Sequence, residues 1–94
     1  MIKNFRSKEA QKIFEGEYSH ILPNSIQRIA MRKLWMIHAA ISIHDLRTPP
    51  SNHLEKLKGR RKGQYSIRIN DQWRICFLWK QKDVYDVEIT DYHH

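Results

Sequence analysis

The sequence predicts an α+β domain in which two N-terminal helices pack on a mostly antiparallel sheet of three to five strands. Three patterns indicate this class: apolar residues at helical spacing in 26–41, alternating residues in 63–79, and a second alternating run in 85–90. Helices that precede strands in hairpin order favour an antiparallel sheet with helices on one face. A chain of 94 residues can bury one core but not two, so we expect a single domain over 1–94.

The first residues predict an edge strand and then a short helix. Ile2 and Phe5 are apolar and precede Ser7, a favourable N-cap residue because its hydroxyl can accept a hydrogen bond from a first-turn amide. We expect this helix to run to about Glu15 and to end near Gly16.

The second helix is expected after Pro23, with Asn24 or Ser25 as its N-cap. Its apolar residues recur every three or four positions and share one face: Ile26, Ala30, Leu34, Ile37 and Ile41. We interpret this stripe as core, and the basic side chains away from it, among them Arg32 and Lys33, as a solvated face. Pro49 and Pro50 prevent continuation of the helix.

The strands are predicted from residues that alternate with a period of two. The main hairpin contains Tyr65, Ile67 and Ile69 on one strand and Trp73, Ile75, Phe77 and Trp79 on the next. Asn70-Asp71 favours a two-residue turn between these strands. A short strand is expected near 54–57, and a final strand in which Tyr85, Val87 and Ile89 share one face.

The polar face of the hairpin carries Arg68 and Arg74 on adjacent strands. Like charges on neighbouring strands repel, so this pair indicates an open face on which an anion binds between them. The segment Gly59–Gly63, with three consecutive cations between two glycines, leads into the first of these strands and predicts a flexible basic loop.

The charge balance favours an anionic partner. Lys and Arg total 17 against 10 Asp and Glu, a net charge of +7, which suits phosphate-rich or acidic surfaces. A merely soluble basic domain is the alternative. The single cysteine, Cys76, excludes an internal disulfide and a multi-cysteine zinc site, and a reducing cytoplasm fits. Neither the histidine spacing nor any glycine-rich loop indicates a metal or nucleotide cofactor, and no run approaches the about 20 apolar residues of a membrane span.

The polar residues of the chain suit cleavage of RNA through its own 2′-hydroxyl group. That reaction needs a base for the hydroxyl proton, cations around the phosphate and an acid for the leaving oxygen. Arginine fits phosphate through two parallel donors, histidine and glutamate can transfer protons, and tyrosine can stack on a base. The candidates are Arg68, Arg74, Glu55, Lys58, Asp91, Tyr92 and His93.

Three segments of the sequence resemble the HigB toxins of the RelE-like superfamily of type II toxin–antitoxin systems. They are 52–59, 63–77 and 87–93, and the opening residues 1–5 are similar too. The combination of Leu-Lys-Gly, Trp-Arg-Ile and Asp-Tyr-His in this order is specific, and within the family the GraT-like subgroup is most similar.

This resemblance implies a metal-independent endoribonuclease that enters the ribosomal A site in the cytoplasm and cuts mRNA during translation. It also implies neutralisation by a HigA-like helix-turn-helix antitoxin, through which the pair binds its operator DNA. Two alternatives are a non-catalytic module that binds RNA or the ribosome, and a corepressor that acts with the antitoxin.

The family's site residues correspond to Arg74, Lys58 and the terminal residues Asp91, Tyr92 and His93. Many members carry a catalytic histidine where this chain has Glu55. We therefore expect either that Glu55, or His53 on the same face of an alternating strand, acts as the base, or that the enzyme is slower. Further RNA contacts are expected from Arg68, Arg60, Arg61, Lys62 and Lys56.

Overall fold

A computed structural model describes residues 1–91 and confirms the predicted α+β class. Its elements in chain order are α1 (Lys8–Phe14), α2 (Asn24–Ala39), β1 (Glu55–Lys56), β2 (Gln64–Arg68), β3 (Trp73–Lys80) and β4 (Asp83–Asp91). The strands form one sheet in the order β1-β2-β3-β4, and each neighbouring pair is antiparallel.

The core lies between α2 and the sheet. The predicted helix stripe is buried at Ile26, Ala30, Leu34 and Ile37, and packs with Ile67, Ile75 and Phe77 of the hairpin. The inclusion of Ile41 was wrong, because α2 ends at Ala39 and Ile41 is 72% exposed. Ala40 has an extended backbone, which carries the chain out of the helix before Ile41 can complete the stripe.

The N-termini of the two helices differ in their capping: a side chain caps α1 but not α2. Ser7 caps α1 as predicted, since its hydroxyl accepts a hydrogen bond from the backbone N–H of Ala10 at 3.0 Å. Neither Asn24 nor Ser25 caps α2; Pro23 occupies that position and no side chain caps the helix, so this prediction was wrong. The loop before α2 is instead held by the Gln27 side chain, which exchanges hydrogen bonds with the backbone of Ser19.

The hairpin turn is longer than predicted. Three residues, rather than two, separate Ile69 from Trp73, and the Ile69 N–H donates to the Trp73 carbonyl at 2.8 Å. The Asn70 side-chain oxygen accepts hydrogen bonds from the backbone N–H groups of Gln72 and Trp73, each at 2.8 Å. The asparagine therefore stabilises the turn through its side chain.

The predicted N-terminal edge strand is present as two isolated bridges to β4. Ile2 pairs with Val84 and Phe5 with Val87, both in parallel orientation. This arrangement covers the outer edge of β4 with the first residues of the chain, which protects an otherwise unpaired edge.

A bulge in β4 changes which residues face the core. Asp86 has a left-handed backbone, with φ of +54°, and the pairing with β3 shifts at this point. Val84 and Val87 are both buried as a result, so the prediction that Tyr85 shares a face with Val87 was wrong. The side chain of Asn4 holds the bulge, accepting from the Asp86 N–H at 2.9 Å and donating to its carboxylate at 3.0 Å.

Candidate active site on the polar face of the sheet

The face of the sheet turned away from the core collects polar residues from all four strands. The register aligns Glu55, Ser66, Cys76 and Glu88 in one row across the sheet, and Arg68, Arg74 and Thr90 in the next. We call these seven residues the polar sheet face. Their proximity follows from pairing alone, because residues in register on adjacent strands point to the same side.

Arg74 lies at the centre of this face and is only 8% exposed. Its Nε donates to the Ser66 hydroxyl at 2.8 Å, and its Nη2 donates to the carbonyl oxygens of His53 and Ser66. The prediction that Arg74 lies on an open face was therefore wrong. The protein itself covers the guanidinium and fixes its orientation.

The two arginines have carboxylate partners within the chain. Glu55 Oε1 lies 3.7 Å from Arg74 Nη1, and Arg68 forms an ion pair with Asp71. Arg68 and Arg74 are paired in register, as the sequence predicted. These carboxylates offset the mutual repulsion of the two arginines. Binding of an anion between Arg68 and Arg74 stays a prediction.

Glu55 and His53 contact Arg74 through different groups, the first through its side chain and the second through its backbone carbonyl. The Glu55 side chain is 54% exposed and contacts the guanidinium from the solvent side. His53 precedes β1, has a left-handed backbone with φ of +43°, and contributes its carbonyl. The expectation that strand alternation places His53 on the face of Glu55 was wrong, because the strand starts only at Glu55.

Glu88 is a second centre of charge that the sequence did not single out. Its carboxylate lies 3.3 Å from Arg61 and 3.7 Å from Arg6, and accepts a hydrogen bond from Thr90 at 3.2 Å. Its position between the apolar residues Val87 and Ile89 could have placed it on the polar face of the strand. Cys76, its register partner on β3, is buried, and this burial raises the pKa of its thiol.

The segment between β1 and β2 forms a concave basic surface. Lys56, Leu57, Lys58, Gly59 and Lys62 line a pocket of about 320 Å³, which we call the basic pocket. The predicted loop contains a single 3-10 turn, Gly59–Arg61. Arg61 is tied to the sheet by its contacts with Glu88 and Gln64, whereas Arg60 is exposed. Lys56 pairs with Tyr65 and so lies on the opposite face of the sheet from Arg74.

The predicted terminal site residues are described only in part. Asp91 ends β4, directly after Thr90, and its carboxylate accepts a hydrogen bond from Gln72 at 3.0 Å. Thr90, the residue before it, lies opposite Arg74 in the register of β3 and β4. Tyr92 and His93 lie outside the described residues.

Within residues 1–91, no three His, Cys, Asp or Glu side chains are grouped so that they could hold a metal ion. Over the same range, no helix has the length and apolar character needed to cross a membrane.

Two solved structures of toxins share this fold. The toxin–antitoxin complex YoeB–YefM from Staphylococcus aureus contains a chain with a TM-score of 0.59 and 20% identity, and the match covers 100% of this chain and 99% of that one. YafQ from Escherichia coli gives a TM-score of 0.59 at 13% identity, covering 97% and 91%. At these identities the likeness shows a shared fold.

The family model of HigB-like toxins, described as RelE-like toxins of type II toxin–antitoxin systems, matches residues 3–93. Toxin HigB-1 of Vibrio cholerae is 40% identical over 80 residues, 84% of each chain. Endoribonuclease HigB of Proteus vulgaris is 36% identical over 94 residues, 99% of this chain and 100% of that one. The chain thus belongs to the HigB-like toxin family, as the sequence motifs predicted. The closer likeness to a GraT-like subgroup stays a prediction.

Proposed function

We propose that this chain, as one toxin domain over 1–94, is a ribosome-dependent endoribonuclease that cuts mRNA during translation. Membership of the HigB-like family makes it a toxin of a type II system. The endoribonuclease activity is supported by the relative from Proteus vulgaris, which is named for that activity. Action in the ribosomal A site and cleavage without a metal ion are further parts of the proposal.

The observation that carries the proposal is the fixed orientation of Arg74. Three acceptor atoms from Ser66 and His53 hold its guanidinium in the middle of the polar sheet face. A donor held in place before the substrate arrives stabilises developing charge without a reorganisation cost. In the proposed reaction Arg74 stabilises the scissile phosphate, and Arg68, opposite it in register, adds a second cation.

Glu55 is the proposed general base. Its exposed carboxylate lies 3.7 Å from the Arg74 guanidinium, so a phosphate placed at the guanidinium would bring the adjacent 2′-hydroxyl close to Glu55. The oxygen of that hydroxyl would attack the phosphorus atom as Glu55 takes the proton, and the bond from phosphorus to the leaving 5′-oxygen would break. His53 is the second candidate base, although its link to Arg74 runs through its carbonyl.

The residues at the C-terminus complete the proposed chemistry. By resemblance to the family, His93 protonates the leaving oxygen, Asp91 orients His93, and Tyr92 positions the base or the histidine. The product would be a 2′,3′-cyclic phosphate on the upstream fragment and a 5′-hydroxyl on the downstream one. A 3′-hydroxyl end would contradict attack by the 2′-hydroxyl.

The exposed cations around the site are proposed to dock on RNA. Lys58 shares the basic pocket with Lys56 and Lys62, and Arg60 is exposed beside it. Contacts of this kind release counterions from RNA, so docking should weaken as salt is added. Arg61 is held by Glu88 and would contact RNA from a fixed position.

A toxin of a type II system has an antitoxin partner. We propose that this partner is a HigA-like helix-turn-helix protein, that the pair reaches operator DNA through the antitoxin, and that the toxin acts in the cytoplasm. The net charge of +7 favours a partner with an acidic docking surface.

Primer extension on an mRNA in a translating extract tests the proposal. Wild-type protein should produce discrete cuts that disappear when ribosomes are omitted, and Arg74→Ala should slow them by roughly 10²–10³. Inhibited translation over intact mRNA would instead indicate a non-catalytic binder. Normal growth of cells that make the chain without its antitoxin would favour a corepressor.

A further inference from the structure

Lys33 of α2 lies in a part of the molecule that the proposed reaction does not use. The sequence placed this lysine on a solvated helix face, but the structure shows it half-buried, with its ammonium group donating to the Asn52 side-chain oxygen. Asn52 is fully buried, and its amide nitrogen donates to the carbonyl oxygens of Leu46 and Thr48 at 3.1 and 3.3 Å. The position of the Lys33 ammonium is therefore fixed by the fold.

The surroundings of Lys33 are positively charged. Burial lowers the pKa of its ammonium group, and the charges of Arg32 and then Arg68 lower it further. Among residues 1–91, no carboxylate oxygen lies within 4 Å of this ammonium. Arg32 and Arg68 therefore both contribute to the positive charge around Lys33, and Arg68 itself is paired with Asp71 of the exposed turn.

A depression in the surface adjoins this cluster. Ile29, Arg32, Lys33 and Met36 line it, and its volume is about 170 Å³, enough for a phosphate group. Two of its walls are apolar and two are cationic, so an anion bound there would be shielded from water on one side. Charge–charge attraction is stronger in such partly desolvated positions than in open solvent.

Arg68 connects this cluster to the proposed active site. It belongs to the charge environment of Lys33 and is also the register partner of Arg74 across the hairpin. The turn Pro50–Asn52, which carries the partner of Lys33, contacts β2. Cations therefore continue from the centre of the polar sheet face to the outer surface of α2.

We propose that Lys33, together with Arg32 and Arg68, binds a phosphodiester group of RNA outside the scissile position. This inference rests on the proposed function, since it assigns the RNA strand a path from Arg74 past Arg68 to α2. A phosphate at this position would neutralise the repulsion among the three cations. It is a positioning contact that fixes the strand and takes no part in proton transfer.

One substitution distinguishes a phosphate-binding role of Lys33 from a purely structural one. In Lys33→Gln the amide can still donate to Asn52, while the positive charge is removed. If Lys33 serves only to hold Asn52, this variant should bind RNA like the wild type. If Lys33 binds phosphate, the variant should lose affinity without losing stability, because the repulsion by Arg32 and Arg68 is gone.

The test uses an RNA oligonucleotide with 2′-O-methyl groups, which cannot be cut through its 2′-oxygen. Fluorescence anisotropy at several salt concentrations should show roughly tenfold weaker binding for Lys33→Gln, and a salt slope smaller by about 0.7 for the one lost contact with a single strand. Lys33→Arg should restore binding. Lys80→Gln is the matched control, since Lys80 is an exposed lysine at the end of β3 away from Arg74.

A second arm with ribosomes that carry no mRNA separates the two sources of the phosphate. Weaker binding to the oligonucleotide supports the proposed path of the strand, whereas weaker binding to these ribosomes alone assigns the phosphate to ribosomal RNA and overturns the path past Arg74. Unchanged affinity in both arms would overturn it, as would an equal loss in Lys80→Gln. These measurements need no cleavage, so they remain decisive even if the wild-type chain cuts no mRNA and the proposed function fails.

Discussion

Arg74 and the lysines of the basic pocket carry the same charge in contrasting settings. Arg74 is 8% exposed and is held by acceptors from Ser66 and His53. Lys56, Lys58 and Lys62 are exposed on a short segment between β1 and β2. Folding fixes the first cation before RNA arrives, whereas the others are positioned mainly by the RNA they meet.

This difference separates two contributions to activity. A cation with fixed orientation suits stabilisation of a transition state, because it need not reorganise during the reaction. Exposed cations suit docking, which tolerates mobile side chains and depends strongly on salt. Substitutions in the first region should reduce the rate of the chemical step, and those in the second should raise KM.

The largest effect is expected at Glu55, the exposed partner of Arg74. Glu55→Gln should lower the single-turnover cleavage rate by about 10²–10⁴, the usual contribution of a general base. Its stability should change by no more than about 0.5 kcal/mol because the side chain is exposed. Glu17→Gln, at an exposed glutamate between the helices, is the control. A wild-type rate in Glu55→Gln would show that another group takes the proton.

Ser66→Ala should have an intermediate effect, on both rate and stability. The substitution leaves the buried Nε of Arg74 without its hydroxyl acceptor, which should cost about 1–3 kcal/mol in urea unfolding. A less firmly held guanidinium should also slow cleavage roughly tenfold while KM stays unchanged. Loss of stability with a wild-type rate would separate the orientation of Arg74 from catalysis.

Glu88→Gln should affect stability more than activity. Glu88 joins Arg61 and Arg6 to β4, but both arginines are partly exposed, so we expect a loss of only about 1 kcal/mol. Cleavage should fall a few-fold through a higher KM, since Arg61 would lose its fixed position. Urea midpoints and KM values measured together check this, and an unchanged KM would exclude RNA contact by Arg61.

The smallest effect is expected at Arg60, which is exposed beside the basic pocket. Arg60→Ala should leave stability within about 0.5 kcal/mol of wild type and raise KM a few-fold, more at low salt than at high salt. Lys8→Ala, at an exposed residue of α1, provides the control. A lower rate at saturating substrate would contradict a role confined to docking.

The sequence predicted elements whose determinants are local. The cap at Ser7, most of the α2 stripe and the main hairpin follow from spacing within a few residues, and all are present. Arg68 and Arg74 were placed side by side for the same reason. Register follows directly once two alternating strands are joined by a short turn.

Several of the failures, in contrast, concern contacts between distant residues. The bulge at Asp86 depends on Asn4, 82 positions earlier in the chain, and no local pattern predicts that partnership. Burial of Arg74 depends on the His53 carbonyl, which the left-handed backbone at that residue presents. Lys33 was assigned to solvent because its partner, Asn52, lies in a turn whose position the sequence did not specify.

The most direct test of the central role of Arg74 is the single-turnover cleavage rate of Arg74→Lys at a matched folded fraction, measured by circular dichroism. Lysine keeps the charge but lacks the planar guanidinium that Ser66 and the His53 carbonyl orient. We predict a rate at least tenfold below wild type at equal folded protein. A wild-type rate at equal folded protein would show that Arg74 supports the fold alone, and would move the phosphate site elsewhere on the polar sheet face.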